Sequence, residues 1–256
     1  MHSFTVHVMP SVIHAVRSVA VVTLMMLTSC KLDTNVAATG PTAAVKLINL
    51  LQGAENASVG FETGRPLSVI EFPSIAPIEA ASYFFVTANA PRQLRVLLTS
   101  ATVLDSTVTF AANQYYTIVT TGLRTAQGAA APAYLILQNN MSAVTTGNVR
   151  FRFVHGATAT ARVDVHVAAD SATFDATSLL FANVPYRGAA TVEARIAGNR
   201  KICVIATGVL PSPAGSNCAS LRRFGVASGV VATVALRDPA GTETMPGVLL
   251  TLDRTP

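Results

Sequence analysis

Hydrophobic and polar residues alternate with a period of two along much of the chain after residue 42. In residues 148–155 (NVRFRFVH), the phenylalanines and the final histidine fall on one face and the arginines on the other. In residues 162–167 (RVDVHV), three valines share one face, and an arginine, an aspartate and a histidine share the other. Successive side chains of a β-strand point to opposite faces, so this alternation is typical of strands. The pattern predicts antiparallel strands with one buried face and one face in water.

The same order of strand-like segments occurs twice. Residues 45–49 (VKLIN) correspond to residues 151–155 (FRFVH), and residues 110–119 (FAANQYYTIV) correspond to residues 224–234 (FGVASGVVATV). The spacing between matching segments changes along the chain, as insertions in surface loops would cause. Internal similarity of this kind predicts a tandem repeat.

Each predicted copy has the length and the turn spacing of a seven-strand β-sandwich, which takes about 100 residues. We therefore predict an all-β fold of two tandem immunoglobulin-like antiparallel β-sandwich domains, at residues 43–140 and 147–256. A domain of this size can bury an adequate core by itself. A single closed barrel spanning both copies is the alternative.

The composition agrees with a folded β protein. Of 256 residues, 50% are hydrophobic and 12% are charged, and tryptophan is absent. A disordered chain would show the opposite balance. The formal net charge is +5, and the longest basic runs are two pairs, Arg200 with Lys201 and Arg222 with Arg223. Because nucleic-acid binding needs a basic stripe or patch, we expect no nucleic-acid partner.

An apolar run near the start of the chain covers residues 18–27 (SVAVVTLMML). A membrane-spanning helix needs about 20 apolar residues, so this run is too short to span and fits the hydrophobic region of a signal peptide. We predict that residues 1–29 are a signal peptide. Translation from Met9 rather than Met1 would give a signal of more ordinary length and the same mature protein.

Residues 27–30 (LTSC) resemble the bacterial lipobox, in which an aliphatic residue and two small residues precede a cysteine that receives lipid. The resemblance implies a diacylglycerol on the thiol of Cys30, which makes the membrane a partner, with residues 30–42 as anchor and polar tether. Lys31 implies, in a cell with two membranes, onward transport to the outer membrane, on its periplasmic or its surface face. Cleavage at another site, releasing a soluble protein, is the alternative.

Three residues are candidates for chemistry. His155, Asp164 and His166 could bind a metal or act in acid–base catalysis, because imidazole and carboxylate are suitable ligands. The alternation places Asp164 and His166 on one polar face, whereas His155 lies on the phenylalanine face, where it could close a turn. Residues 225–229 (GVASG) have the serine one place too late for a nucleophile elbow. We expect no catalytic residue, no metal and no cofactor.

Cys203 and Cys218 are predicted to form a disulfide, because exported proteins fold in an oxidising compartment. The segment that they bracket contains prolines and glycines and is predicted to be a long loop between strands. Two buried free thiols are the alternative. Arg222 and Arg223 follow directly, and we predict that the loop with these arginines is a possible binding site.

Four segments resemble a bacterial family, the domain of unknown function 4397. These are residues 149–157 (VRFRFVHGA), 163–167 (VDVHV), 183–186 (NVPY) and 110–122 (FAANQYYTIVTTG). Both copies resemble the family, and the second fits better, since the first copy has Gly60 where an aspartate is usual. The resemblance implies an exported and often repeated β domain of cell-envelope proteins. It supplies no activity and no catalytic residue.

Together these features favour a non-catalytic, lipid-anchored cell-envelope protein that acts as a structural, adhesion or binding module with a protein or glycan ligand. The alternative is a metal-dependent or hydrolytic enzyme centred on Asp164 and His166.

Overall fold

β-Branched and aromatic residues fill the strands of this chain, and strands make up nearly all of its regular structure. The computed structural model describes residues 40–53, 57–61, 66–70, 74–76, 81–98 and 101–255. The predicted signal peptide, Cys30 and most of the predicted tether lie outside these described residues. Within the described ranges, no helix has the length and apolarity needed to cross a membrane.

The strands fall into two groups, which we call the first half and the second half. In the described residues, the first half contains β1 (Thr42–Gln52), β2 (Ala57–Phe61), β3 (Pro66–Ile70), β4 (Ser74–Ala76), β5 (Phe84–Thr87), β6 (Arg92–Leu98), β7 (Ala101–Val108), β8 (Tyr115–Leu123) and β9 (Ala133–Asn139). The second half contains β10 (Val149–His155), β11 (Arg162–Ala169), β12 (Leu179–Pro185), β13 (Ala189–Ala194), β14 (Gly198–Ala206), β15 (Ser220–Val226), β16 (Val231–Arg237) and β17 (Gly247–Arg254). Single turns of 3-10 helix occupy Gly128–Ala130 and Ala176–Ser178.

Each half forms two sheets. In the first half, sheet A has the order β3-β2-β6-β7, and sheet B has the order β4-β1-β8-β9, with β5 also paired to β1. In the second half, sheet C has the order β13-β10-β16-β17, and sheet D has the order β12-β11-β14-β15. The first strand of each half runs parallel to the next-to-last strand, β1 beside β8 and β10 beside β16, and the other pairings are antiparallel.

The prediction of an all-β sandwich fold is confirmed, although the strand count differs from the prediction. Seven strands were predicted in each sandwich, whereas the described residues contain nine in the first half and eight in the second. The first half has one strand more than the second because two strands, β4 and β5, pair with the middle and the start of β1, whereas β13 alone pairs along the corresponding edge of β10.

Each half has a hydrophobic core between its two sheets. In the first half, the inward side chains of β1 and β8 pack against those of β2 and β6, with Phe61 edge-on to Phe110 at a ring distance of 5.7 Å. In the second half, Phe151 and Phe153 of β10 pack against Phe181 and the valines of β11. Burial of each such side chain contributes about 1.5–3 kcal/mol to folding.

A third apolar cluster lies between sheets B and C, where the two halves meet. Ile48 and Leu50 of β1 and Val119 of β8 contact Val154 of β10 and Ala235 of β16, and all five side chains are buried. Sheet B therefore packs on sheet A with one face and on sheet C with the other. The order of the layers is A, B, C, D.

This contact corrects the prediction of one wet face on each strand. The face of β10 that carries Arg152 and Val154 was predicted to be in water, but both residues are buried against sheet B. The polar face of β11 is covered as well, since Asp164 and His166 are both buried. Alternation identified the faces of these strands correctly, but it gives no information on whether a second layer covers the polar face.

Buried charges lie at one end of the contact between sheets B and C. Lys46 of β1 has no exposed surface, and its Nζ lies 3.6 Å from Oδ1 of Asp253 in β17. The ammonium group also donates hydrogen bonds to Oγ1 of Thr251 and to the carbonyl oxygen of Leu252. Burial lowers the pKa of Lys46, and Asp253 opposes this shift. Burial raises the pKa of Asp253, and the hydroxyl of Thr233 together with Lys46 opposes that shift.

A second cation completes the polar network at this end. The guanidinium of Arg152 donates to Oδ1 of Asn139 at 2.6 Å and to the carbonyl oxygen of Gln138 at 2.9 Å. The amide of Asn139 donates to the hydroxyl of Tyr83, and that hydroxyl donates to the carbonyl oxygen of Asp253. Residues from both halves are thus joined in one buried network, which fixes the register of sheet B against sheet C.

The opposite end of the contact is held by the turn between β12 and β13. Arg187 in this turn donates from Nε to Oγ1 of Thr121 in β8, and its guanidinium also binds the carbonyl oxygen of Ala131. Gly156 packs directly on Leu50, and a Cβ atom at this position would overlap the leucine side chain. Only a glycine allows this close approach of the two halves.

We expect Lys46→Met to lower the free energy of unfolding by about 3–5 kcal/mol, because it leaves the buried Asp253 without its countercharge. Urea unfolding at pH 7 measures the change. The double substitution Lys46→Met with Asp253→Leu should recover most of the loss. Arg95→Met breaks the more exposed pair with Asp105 and should cost less than about 1 kcal/mol. Equal losses for the Lys46 and Arg95 variants would contradict the role of the buried pair.

Candidate functional site

The disulfide predicted from the sequence is present on the outer face of sheet D. Cys203 lies in β14, and Cys218 lies just before β15, with a Cα–Cα distance of 5.4 Å. The segment between these strands, residues 207–219, is the predicted long loop, and we call it the disulfide loop.

The disulfide covers a small apolar cluster of its own. Phe174, from the connection between β11 and β12, is buried together with Ala168, Ile205 and both cysteines. The backbone N–H of Phe174 donates to the carbonyl oxygen of Pro213 at 3.1 Å, which ties the two loops together. The Nζ of Lys201 lies 4.9 Å from the centre of the Phe174 ring, within the range of a cation–π interaction.

The disulfide loop has its own internal hydrogen bonds. Asn217 accepts from the N–H of Ser212 at 2.6 Å and donates to the carbonyl oxygen of Leu210 at 3.0 Å. Gly215 has a φ of +78°, and a Cβ atom there would lie 2.9 Å from the ring of Phe174. A larger residue at this position would be strained and would displace the ring. The loop is therefore an ordered surface.

Asp164 holds the base of this loop. Its carboxylate accepts hydrogen bonds from the N–H of Asn183 at 2.6 Å, the N–H of Gly208 at 2.9 Å and the hydroxyl of Thr207 at 3.2 Å. Burial by itself would raise the pKa of Asp164, but these hydrogen bonds and the nearby His166 outweigh burial and lower it. The ionised carboxylate thus joins the start of the disulfide loop to β12.

His166 is bound on the same face by a short helical turn. Its Nδ1 lies 3.0 Å from Oγ of Ser178, and that hydroxyl donates to the carbonyl oxygen of Asp175 at 2.6 Å. Because the single hydroxyl proton is used on Asp175, Nδ1 of His166 must be the donor to Ser178. Burial lowers the pKa of His166, although Asp164 opposes the shift. This arrangement does not prepare Ser178 as a nucleophile, since the histidine donates a proton to it rather than accepting one.

His155 lies away from this face. Its side chain is fully buried in sheet C, and Nε2 donates to the carbonyl oxygen of Thr160 at 2.8 Å. Burial lowers the pKa of the imidazole, so the ring is neutral at pH 7. The histidine closes the connection between β10 and β11, as the sequence suggested it could.

The three candidate ligands are thus not brought together. Asp164 and His166 share the outer face of sheet D, whereas His155 belongs to another sheet. Among the residues that the structure describes, no group of three or more histidine, cysteine, aspartate or glutamate side chains could hold a metal ion.

Arg222 and Arg223 are exposed beside the disulfide loop. The Nε of Arg223 lies 2.6 Å from Oδ1 of Asp170 in an exposed ion pair, and Arg222 donates to the carbonyl oxygen of Val248. Leu210 and Leu221 are also exposed, with 65% and 42% of their surfaces accessible. We call these four residues, together with Val209, the loop surface.

Phe174, Asp175 and Ser178 complete this face, and none of them was predicted from the sequence. The sequence does contain a signal for Asp175 and Ser178. The pattern Asp-x-x-Ser places a helix-capping aspartate three positions before a hydroxyl that can return a hydrogen bond. In the structure Asp175 and Ser178 form such a reciprocal cap. Phe174 has no comparable signal, since a lone phenylalanine in a polar loop does not indicate what it covers.

We expect Asp164→Asn to destabilise the protein by about 1–3 kcal/mol at pH 7, because the amide cannot accept all three hydrogen bonds. The native pKa of Asp164 is depressed, so the contribution of the carboxylate is present above its ordinary value of 3.8 and is lost as the pH falls through the native pKa. Urea unfolding between pH 3 and pH 7 should show the difference between the native protein and the variant shrinking in acid. Asp170→Asn is the control, since its pair with Arg223 is exposed. A difference that does not depend on pH would contradict this assignment.

Comparison with known proteins gives one family match. Residues 43–166 match a domain of unknown function (DUF4397). A search of the curated proteins finds no match to the chain. The matched residues begin in β1, include the first half and β10, and end at His166 in β11. This part of the chain is therefore similar to the DUF4397 family, which confirms the family seen in the sequence. The match covers the first copy and only the first strands of the second.

Proposed function

We propose that this protein is a non-catalytic, lipid-anchored module of the cell envelope, built from two copies of one β domain and presenting the loop surface to a protein or glycan ligand. The observation that carries the proposal is the use of the ionisable side chains. Each of the buried side chains that could act in catalysis or bind a metal is instead bound to neighbouring groups that hold strands or loops in place. These residues are Lys46, His155, Asp164, His166 and Asp253.

The strand order supports the proposal that the second half is a copy of the first. In both halves, the first strand runs parallel to the next-to-last strand, and the last strand pairs antiparallel to that strand. Asn49 and His155 occupy corresponding positions in β1 and β10, and both are buried polar residues. Equivalent strands in the same unusual mixed pairing are what a duplicated domain would retain.

The geometry around Asp164 and His166 favours a structural role over the enzymatic alternative. A general base needs an accessible lone pair within reach of a substrate. Asp164 accepts three hydrogen bonds from protein groups, and His166 is 2% exposed. Both residues instead connect β11 to the loops that cover sheet D.

The anchor is supported by the start of β1. Residues 27–30 resemble the lipobox, and the first described strand begins at Thr42. The eleven residues between Cys30 and Thr42 would span at most about 40 Å. This length keeps the first half close to a bilayer.

The loop surface is the best candidate for recognition. Exposed leucines beside arginines provide apolar contact and hydrogen-bond donors, and arginine is enriched at binding sites. The disulfide and the internal hydrogen bonds of the loop hold this surface in one conformation, which reduces the entropic cost of binding.

Lipidation is tested by mass spectrometry of the full-length chain expressed in a bacterial host and purified from its membranes. We expect an N-terminus at Cys30 with attached acyl groups, and no membrane association for Cys30→Ser. A mature protein that carries an unmodified Cys30 would contradict the anchor.

Ligand binding is tested on a glycan array and by pull-down from envelope extract. We expect a ligand of the native protein that is lost with Arg222→Ser and Arg223→Ser together. The matched control, Arg124→Ser with Arg195→Ser, removes the same charge from exposed positions away from the disulfide loop and should bind normally. Equal binding by the two double variants would exclude the loop surface, and turnover of a substrate that requires His166 would favour the enzymatic alternative.

A further inference from the structure

The end of the first half where the chain enters β1 carries an exposed aromatic side chain. Phe85 of β5 is 57% exposed, and it is the single aromatic among the exposed large hydrophobic side chains of the described residues. Its strand pairs with the first residues of β1, with Phe85 opposite Ala44. The phenylalanine therefore lies beside the point at which the proposed tether joins the domain.

Two tyrosines extend this aromatic site. Tyr115 is opposite Ala44 on the other side of β1, so Phe85 and Tyr115 flank the same residue. The ring of Tyr83 packs edge-on against Tyr115 at 5.1 Å, and its hydroxyl reaches the buried network at Asp253. We call Tyr83, Phe85 and Tyr115 the aromatic end. The tyrosines fix its position on the rigid sheet, and Phe85 is its exposed part.

Two arginines of the second half near this end are bound to protein groups, and a third, Arg195, is exposed. Arg254 donates to the carbonyl oxygen of Met141, and Arg150 forms an ion pair with Glu193 at 3.0 Å. Hydrogen bonds to Thr145, Asn148 and Arg150 lower the pKa of Glu193 to about 2, with the bonds to Thr145 as the largest cause. Its charge is therefore balanced by a cation at the pH of the cell, which limits repulsion of an anionic surface.

Isolated exposed hydrophobic residues are common on proteins, so exposure of Phe85 alone indicates nothing. Its location does, because tyrosine is favoured at the boundary between lipid headgroups and water, and a phenylalanine beside it can bury its ring among the headgroups, as on the apolar face of an interfacial helix. Nine residues separate Cys30 from Gly40, and at full extension this stretch reaches about 35 Å. A domain anchored by so short a tether contacts the bilayer repeatedly, and the end that bears β1 is the one that reaches it.

We infer that the aromatic end rests on the lipid surface, with the ring of Phe85 inserted among the headgroups. This inference depends on the proposed anchor at Cys30 and adds an orientation to it. In this orientation, β1 of sheet B and β10 of sheet C begin near the membrane and run away from it. β1 and β10 run in the same sense, since the start of β1 contacts the end of β17 and the end of β1 contacts the connection after β10. The disulfide loop, which leaves β14 beside the start of β11, lies at the distant end.

The absence of tryptophan from the chain allows a direct test. Phe85→Trp places a single fluorophore at the aromatic end. Met245→Trp places one in the connection between β16 and β17 at the distant end, at a side chain of matched exposure, 62% against 57%. The full-length lipidated variants are reconstituted into vesicles of phosphatidylethanolamine and phosphatidylglycerol, with and without brominated acyl chains, and acylation of Cys30 is verified by mass spectrometry.

We expect bromine to quench the tryptophan at position 85 and its emission to shift to the blue on vesicles, whereas the tryptophan at position 245 keeps its intensity and wavelength. An acylated protein that remains on the vesicles with an unquenched tryptophan at position 85 would overturn the orientation and leave the anchor standing. A blue shift without quenching that grows with protein density would show self-association through Phe85 instead of lipid contact. A protein without acyl groups would overturn both the anchor and the orientation.

Discussion

The contact between sheets B and C is the interaction on which the rest of this structure depends. The central strands of sheet B, β1 and β8, have no solvent face, because sheet A covers one side and sheet C covers the other. Ile48, Leu50 and Val154 supply the apolar centre of the contact, and the buried pair of Lys46 and Asp253 lies at its edge. An isolated half would expose both this apolar strip and an uncompensated charge. The two halves therefore behave as one body rather than as beads on a linker.

Polar residues in this contact serve specificity more than net stability. Removing two charges from water is costly, and the attraction between them repays the cost only when their other hydrogen bonds are satisfied. Lys46 donates to two further oxygens, and Oδ2 of Asp253 accepts from the hydroxyl of Thr233, whereas, among the described residues, Oδ1 of Asp253 has only its ion pair with Lys46. A sliding of one sheet over the other would break these bonds and bury unpaired charges, so the network selects a single register.

The two ends of the body differ in chemistry. The end at β1 presents a phenylalanine and two tyrosines close to the proposed lipid anchor, whereas the distant end presents the disulfide loop with its exposed Leu210. The rigid contact between sheets B and C would keep these ends apart by a fixed distance. A module of this kind would hold a recognition surface away from the membrane without a flexible spacer, which is consistent with the non-catalytic function that we propose.

The sequence by itself determined the strands, the faces of each strand, the disulfide and the separate position of His155, because these depend on local alternation and on the chemistry of one or two residues. Phe151 and Phe153 belong to a core for the same reason. Sequence alone did not reveal that the polar faces of β1, β10 and β11 are also buried. From sequence alone, an arginine such as Arg152 or a lysine such as Lys46 is predicted to be exposed to water, because a charged side chain favours solvent unless it has a buried partner.

Only the tertiary structure brings a buried charge next to its countercharge. Asp253 is 207 positions from Lys46 in the chain, and no periodicity within β1 or β17 records their meeting. The same holds for Asp164 and His166, which the sequence presents as a possible reactive pair and the structure uses to fasten loops. Local pattern decides what each strand can bury, whereas the packing of distant strands decides which charges are enclosed and which remain for a ligand or a membrane.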